Sequence, residues 1–212
     1  MLHDFPSEEF SPGRSIVVLE TERLTLRQPT LADVKAITCL ADDVRIAENT
    51  RFIPHPYRLR DAEDFIAAVT APGSTNTVFV IELDGAPIGM VGLDRSKPAA
   101  ELGYWIGVDY WGRGYATEAA RAMIDYAFEE FDIDAIHAGA RVINPASRKI
   151  LEKCGFQWRC VELHRFRALG SSTPVDRLRL ERGVWSSLRR WRNSVRREGN
   201  TPQIIPFMPA AE

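Results

Sequence analysis

Between Glu101 and Met123 the chain changes its hydrophobic period from two residues to 3.6, and it does so across a pair of glycines. The segment reads ELGYWIGVDYWGRGYATEAARAM: a strand over Leu102–Val108, a loop with Gly112 and Gly114, then a helix. Ala116, Ala119, Ala120, Met123, Ile124, Ala127, Phe128 and Phe131 give that helix one broad apolar face. A strand that feeds a helix through glycines must pack that helix on a sheet, which excludes an all-helical or all-strand architecture. The same geometry makes an anion cradle. Glycine lets the backbone turn tightly and approach a ligand, and the first helical amides lack acceptors at the positive end of the macrodipole. The cradle residues are Gly112, Arg113, Gly114, Tyr115, Ala116 and Thr117, with the Arg113 charge and the Thr117 hydroxyl as possible additions.

Two other phosphate loops fail against this sequence. A Walker A loop needs a lysine after its second glycine, and neither glycine here is followed by one. The dinucleotide fingerprint needs a third glycine at position 117, which is Thr117, and no opening βαβ unit precedes it.

The flanking segments fill out the sheet. Residues 1–14 read as a polar arm, and 15–182 as one domain. A strand runs through Ile16–Leu19 and on into Thr21–Arg27, where Leu24 and Leu26 alternate with polar neighbours. Thr30 and Asp33 form an N-cap pair before a helix with Leu31, Val34, Ile37 and Leu40 at helical spacing. A second helix starts at Asp61. Thr77–Leu83 and Ile88–Leu93 flank Asp84-Gly85, a strong hairpin signal, and Leu102–Val108 continues the meander. After the central helix come a strand at Ile136–Ile143, a short helix at Pro145–Lys153, and strands at Gln157–Phe166 and Val175–Leu180. The succession predicts an α+β sheet, mixed but mostly antiparallel, with a parallel segment in its middle.

Residues 183–212 read as a basic amphipathic helix followed by a proline-containing tail. Trp185, Leu188, Trp191 and Val195 share one side of the helix, and Arg189, Arg190, Arg196 and Arg197 lie elsewhere. Such a helix suits a membrane, RNA or an acidic partner, but a tryptophan side docked on the sheet with arginines in water is the favoured reading.

Charge and cysteine usage narrow the classes further. Lys and Arg number 27 against 29 Asp and Glu in 212 residues, so no global field favours nucleic acid. Cys39, Cys154 and Cys160 form no CxxC pair and fit a reducing compartment. The first residues lack a signal-peptide pattern, and no run is long and apolar enough to span a membrane. A cytoplasmic protein is expected, without a metal, membrane or nucleic-acid partner, as a monomer or homodimer.

A second box, Asn144-Pro-Ala-Ser147-Arg-Lys-Ile-Leu151-Glu-Lys-Cys-Gly-Phe156, decides what the glycine loop is for. Together with Glu20–Pro29 (ETERLTLRQP) and the glycine loop, in this order, the sequence resembles the GCN5-related N-acetyltransferases, and within them the branch similar to ribosomal-protein N-terminal acetyltransferases. The resemblance runs from Glu20 to Leu180. It implies a central sheet of about seven strands, splayed between the fourth and fifth, with acetyl-CoA in the split. Those strands are Glu101–Val108 and Ile136–Ile143 here. Backbone groups of Ile106 and Val108 then meet the thioester and pantetheine arm, amides of Gly112–Thr117 the pyrophosphate, and Asn144 the cofactor arm. Trp111 stands where the family pattern has Gln or Arg. Arg148 and Lys149 are candidates for a phosphate contact, with solvated helix charges as the favoured alternative.

Amide formation needs an acceptor for the amine proton and a donor for the leaving thiolate. The tyrosine that many members carry seven residues after the asparagine is Leu151 here; in the ribosomal-protein branch the serine of the Asn-x-x-Ser box lies near the sulfur, so the resemblance implies Ser147 there, with an ordinary helix-start serine as the alternative. Glu101 is the candidate base, with a solvated strand carboxylate or a residue fixing the substrate ammonium as its alternatives and Glu82 a weaker rival. Tyr104 and Trp105 alternate across the strand, so one faces the acceptor cleft and the other the core, with Trp105 the better core candidate. His137 and His164 read as structural, and Cys154 is not required as a nucleophile. The implied acceptor is a primary amine, either a protein N-terminus or a small molecule. Asp42, Asp43, Glu48 and Asp61 are placed to welcome a cation or to cap helices. A second class stays open: a non-catalytic acyl-CoA-binding or partner-docking module with the same fold.

Overall fold

The structure is a computed structural model and describes residues 17–96 and 99–198. The arm at 1–14, the tail from 199 and the side chains of Val195, Arg196 and Arg197 lie outside the described residues.

Eight strands form one sheet: β1 (Val18–Glu20), β2 (Leu24–Arg27), β3 (Asn76–Leu83), β4 (Ala86–Asp94), β5 (Ala100–Ile106), β6 (Ala135–Arg141), β7 (Gln157–Phe166) and β8 (Ser171–Glu181). Their spatial order is β1-β2-β3-β4-β5-β6-β8-β7. The first segment, expected as one strand, is two, because the chain reverses at Thr21–Arg23 and pairs Val18 with Arg27. Asp84 and Gly85 both take left-handed φ, 51° and 78°, which gives the β3–β4 hairpin the twist of its strands.

Helices cover both faces. On one side lie α1 (Val34–Ala41), the unforeseen one-turn α2 (Val44–Ala47) and α3 (Leu59–Thr70), where Val34, Ile37, Tyr57 and Ile66 meet Val80 and Met90. On the other lie α4 (Tyr115–Glu130) and α5 (Pro145–Lys153), which close the larger core. Ala119, Ala120 and Ala127 of α4 are buried, so the helix sits close to the strands while Met123 and Phe128 fill the space between. The remaining helix, α6 (Arg182–Glu198), docks on α4. Trp185 stacks on Phe128 at 4.9 Å and donates to Asp125 at 2.7 Å, and Arg182 donates to the carbonyls of Phe128, Phe131 and Ile133 at the end of α4. Arg189 pairs with Glu129 and Arg192 with Asp125. Docking therefore accounts for Trp185, while Trp191 farther along the same side stays 60% exposed.

One interruption dominates the sheet. β5 and β6 are parallel and pair at only three positions, Ala100 with Ile136, Glu101 with His137 and Leu102 with Ala138. Beyond them β5 stays with β4 as far as Ile106, and β6 stays with β8 as far as Arg141. The next pair in register would be Gly103 opposite Gly139, so the gap opens at two residues without side chains. Both strands stop short of their expected ends. β5 yields to a 3-10 turn at Val108–Tyr110, because Gly107 donates its amide to Ile88 and the Trp111 indole bonds the Ile106 carbonyl. β6 ends where the Asn144 amide turns back to Arg141, leaving Ile143 70% exposed.

Candidate active site

The glycine loop follows directly from the end of β5. Gly112 and Gly114 have φ of 76° and 85°, a region where an L side chain is strained, and Gly114 is the N-cap of α4. The amides from Gly112 to Thr117 thus open the helix around exposed backbone, with Arg113 exposed beside them. The loop is clamped from a distant part of the chain. Arg23 donates from Nη1 to the Arg113 carbonyl at 3.0 Å, stacks on Tyr115 at 4.6 Å and meets Glu118 at 2.6 Å. Thr21 Oγ1 and the Arg23 amide donate to the same carboxylate at 2.7 and 2.8 Å. Burial acts to raise the Glu118 carboxyl, but the bonds from Thr21 and Arg23 outweigh it and hold the group below its ordinary value of 4.5. Two boxes about 95 residues apart in sequence form one structure.

Across the split stands the start of α5. Asn144 is its N-cap: Oδ1 accepts from the Ser147 amide at 3.1 Å, and Nδ2 donates to Asn49 at 3.0 Å. Ser147 Oγ lies 3.0 Å from Tyr104 Oη, which also donates to the Ser147 carbonyl at 3.1 Å. Burial pushes the Tyr104 phenol well above its usual range, with Ser147 acting weakly against it, so the hydroxyl keeps its proton as a donor. Leu151, where a tyrosine acid was excluded, is buried in the core. A phenol therefore reaches the α5 serine from β5. Only the pairing of strand and helix reveals this, because Tyr104 and Ser147 are 43 residues apart.

On the α3 side the split opens into a cavity of about 750 Å³. Its wall includes the 49–54 loop, Phe65 of α3, Met90 of β4, Glu101 and Trp105 of β5, and Arg141 of β6. Gly103, Gly139, Tyr104 and Ser147 lie at the passage through the sheet. Glu101 faces this cavity, and its Oε1 accepts from Arg177 at 2.7 Å with Arg51 at 3.7 Å. Trp105, the expected core residue, also lines the cavity and packs against the α1–α3 cluster. Tyr104 packs against the opposite core, so both aromatics face the split.

Several sequence candidates belong elsewhere. Glu82 is held by Arg27 at 2.6 Å beside Asp33 and is not on the cavity wall. The carbonyls of Ile106 and Val108 already accept from Trp111, which leaves their amides as the groups to consider. Arg148 is held by Glu152 at 2.9 Å and Asp176 at 3.2 Å. Burial and the nearby Arg179 and Arg177 lower the His137 pKa, and His164 bonds Glu162. Burial pushes the Cys154 thiol up to about 11, which disables it as a nucleophile. Asp42 bonds the Tyr57 amide, Asp43 caps α2 and Asp61 caps α3, so these acids serve helix ends and loops. Arg51, Arg141 and Arg167 on the cavity wall gave no sequence signal, since none belongs to a motif.

An amide cradle on one face, a gap through a parallel strand pair, and a charged cavity on the other form an arrangement for passing a group through a sheet. The sequence profile of the acetyltransferase (GNAT) domain matches residues 23–157. The chain belongs to the GNAT acetyltransferases. It is 32% identical to the N-acetyltransferase p20 of Bacillus licheniformis over 66% of this chain and 82% of that protein. It is 28% identical to the ribosomal-protein-serine acetyltransferase of Escherichia coli over 37% of this chain and 46% of that one. The spermidine N-acetyltransferase of Vibrio cholerae, solved with CoA and spermine, superposes with a TM-score of 0.68 at 23% identity, covering 78% of this chain and 99% of that one. As a GNAT enzyme the protein uses acetyl-CoA to acylate an amine. Its residues fit that cosubstrate: two left-handed glycines at an open helix start suit a pyrophosphate, and the splay leaves strand edges for the pantetheine arm. Among the described residues no group of His, Cys, Asp or Glu could hold a metal ion, and no helix is long and apolar enough to cross a membrane.

Proposed function

We propose that the protein transfers an acetyl group directly to a primary amine that enters through the α3-side cavity, with Glu101 as proton acceptor and Ser147 as the group at the sulfur. When bound, acetyl-CoA supplies the acetyl thioester and leaves as a thiol. The amides of Gly112, Arg113, Gly114, Tyr115, Ala116 and Thr117 hold the pyrophosphate, and the amides of Ile106 and Val108 face the pantetheine end. Asn144 fixes the first turn of α5 and so the position of Ser147. Glu101 takes the amine proton, directly or through water, while Arg177 holds its carboxylate in one orientation. Ser147 turns its hydroxyl toward the sulfur, with Tyr104 Oη 3.0 Å behind it to hold the oxygen in place, either hydroxyl being able to donate to the other.

The observation that carries this reading is the junction at the split. Glu101 sits on the last paired stretch of β5, and Ser147 and Tyr104 border the open part of the same gap. The relatives support both acceptor classes, since one is named for a ribosomal protein and another for spermidine. The reading extends to a cytoplasmic enzyme, a monomer or homodimer working without nucleic acid, and the free Cys39, Cys154 and Cys160 support a reducing compartment.

Purified protein given acetyl-CoA and a panel of amines is expected to release free thiol at a rate that depends on the amine. Tight cofactor binding with no release across protein N-termini, polyamines and amino acids would instead support a non-catalytic acyl-CoA-binding module.

A further inference from the structure

The charges on the cavity wall are unevenly partnered. Each acid there has a partner within the chain: Glu101 has Arg177, Asp61 has the Arg58 amide and Arg167, Asp94 has the Ser96 amide, and Asp64 has Arg60. The arginines differ. Arg141 has no carboxylate partner among the described residues; its Nη1 is pinned to the Glu48 carbonyl at 2.8 Å and its plane lies over Phe166. Arg51 has only the 3.7 Å approach to a Glu101 oxygen that Arg177 already occupies, and it lies over Phe52. In both side chains Nε is buried without a hydrogen-bond acceptor.

A guanidinium is charged at every accessible pH, and a buried N–H without an acceptor is costly, more so when the group is charged. Two such groups on one cavity wall call for an anion, and their planar forks match a carboxylate or phosphate. The same cavity is also lined by the apolar side chains of Ile53, Phe65, Val78, Met90 and Trp105. A polyamine would bring further ammonium groups beside Arg51 and Arg141, where they are repelled.

We propose that Arg51 and Arg141 form an anion subsite, so that the acceptor is an amine bearing its own carboxylate or phosphate on an apolar skeleton, as in a hydrophobic amino acid. This rests on the acetyl-transfer reading only for the word acceptor; the subsite itself is a binding claim. Its occupant neutralises the two guanidiniums while its amine faces Glu101.

Calorimetry on the CoA-loaded protein tests it without turnover. L-phenylalanine is expected to bind at least about ten-fold tighter than L-phenylalaninamide, as one charge-assisted bidentate contact would give. Phenethylamine and spermidine should bind no better than the amide. The matching aminophosphonate separates the two anion sources: tighter binding than the amino acid assigns the subsite to phosphate, weaker binding to carboxylate. Arg141→Gln and, separately, Arg51→Gln should erase the preference for acid over amide. Arg141→Lys should restore part of it, and an unchanged thermal midpoint would show that the loss is not unfolding. Equal affinity for acid and amide, no measurable binding of either anion-bearing amine, or an unaltered preference in both glutamine variants overturns the proposal. Thiol release measured in parallel keeps the two readings apart. Selective binding without release leaves the subsite standing and removes these amines as acetyl acceptors; release that is equal for acid and amide and unchanged in both glutamine variants leaves acetyl transfer standing and removes the subsite.

Discussion

The two mouths of the split sheet are built differently. The proposed cofactor mouth is a run of backbone amides from Gly112 to Thr117, contiguous in sequence and held by one clamp from Thr21 and Arg23. The proposed acceptor mouth is a set of side chains gathered from the 49–54 loop, α3, α5 and strands β3 to β8, segments far apart in the chain. A backbone cradle works for any sequence that keeps its two left-handed glycines. A side-chain cavity changes with every substitution on its wall. On the proposed reading, one mouth carries the chemistry shared by the family, and the other carries this chain's choice of acceptor.

That contrast can be broken by perturbing each mouth and asking which property moves. Glu101→Gln should have the largest effect, lowering kcat by about 100-fold or more while acetyl-CoA affinity stays within a few-fold, because it removes a proton acceptor and no cofactor contact. An unaltered pH–rate profile in steady-state kinetics would remove Glu101 as the base. Gly114→Asp should act the other way. A side chain at φ 85° costs about 1–2 kcal/mol, and its charge opposes the anion at the helix start, so acetyl-CoA affinity should fall by about 100-fold. Calorimetry showing unchanged affinity would sink the cradle assignment.

Smaller effects sharpen the boundary between the mouths. Ser147→Ala should reduce kcat by about ten-fold with KM for the amine little changed, and Tyr104→Phe less, since its phenol acts through the serine. If Tyr104→Phe proved the more damaging, the phenol rather than the serine would be the group at the sulfur.

The smallest effect concerns the clamp. The Glu118 carboxyl is held below 4.5, so its stabilisation is fully present above that pH and is lost as pH falls through the lowered value. Thermal midpoints should therefore drop more steeply below about pH 4.5 in the wild type than in Glu118→Gln, by a few degrees. Parallel slopes for the two proteins would show that the clamp carries no pH-dependent stability.

What was legible in the sequence follows the same division. Asp84-Gly85 gave its hairpin, Gly112 and Gly114 their turn, and Asn144 its cap, because each depends on φ values or bonds within a few residues. The strand ends at Val108 and Ile143 were misjudged, because the Trp111 indole and the turn at Asn144 compete with strand extension. The split at the first N-terminal strand was missed for a related reason: alternation of Leu24 and Leu26 says which face is buried and nothing about where the chain reverses. Among site residues, Glu101 and Ser147 were nominated through their motifs. Their partners Arg177 and Tyr104 were not assigned those roles, since one comes from a strand 76 residues away and the other crosses from β5 to α5.

By itself, then, the sequence determined most of the order of strands and helices, the glycine turn before α4 and the reaction family, because those rest on local periodicity, glycine and contiguous boxes. Only the tertiary structure decided that Gly103 would face Gly139 where the sheet parts, that a phenol lies beside Ser147, and that Arg51 and Arg141, each with Nε buried and unbonded, line one cavity. The physical reason is that these depend on which distant segments share a face, and side-chain partnership across a sheet leaves no period to read.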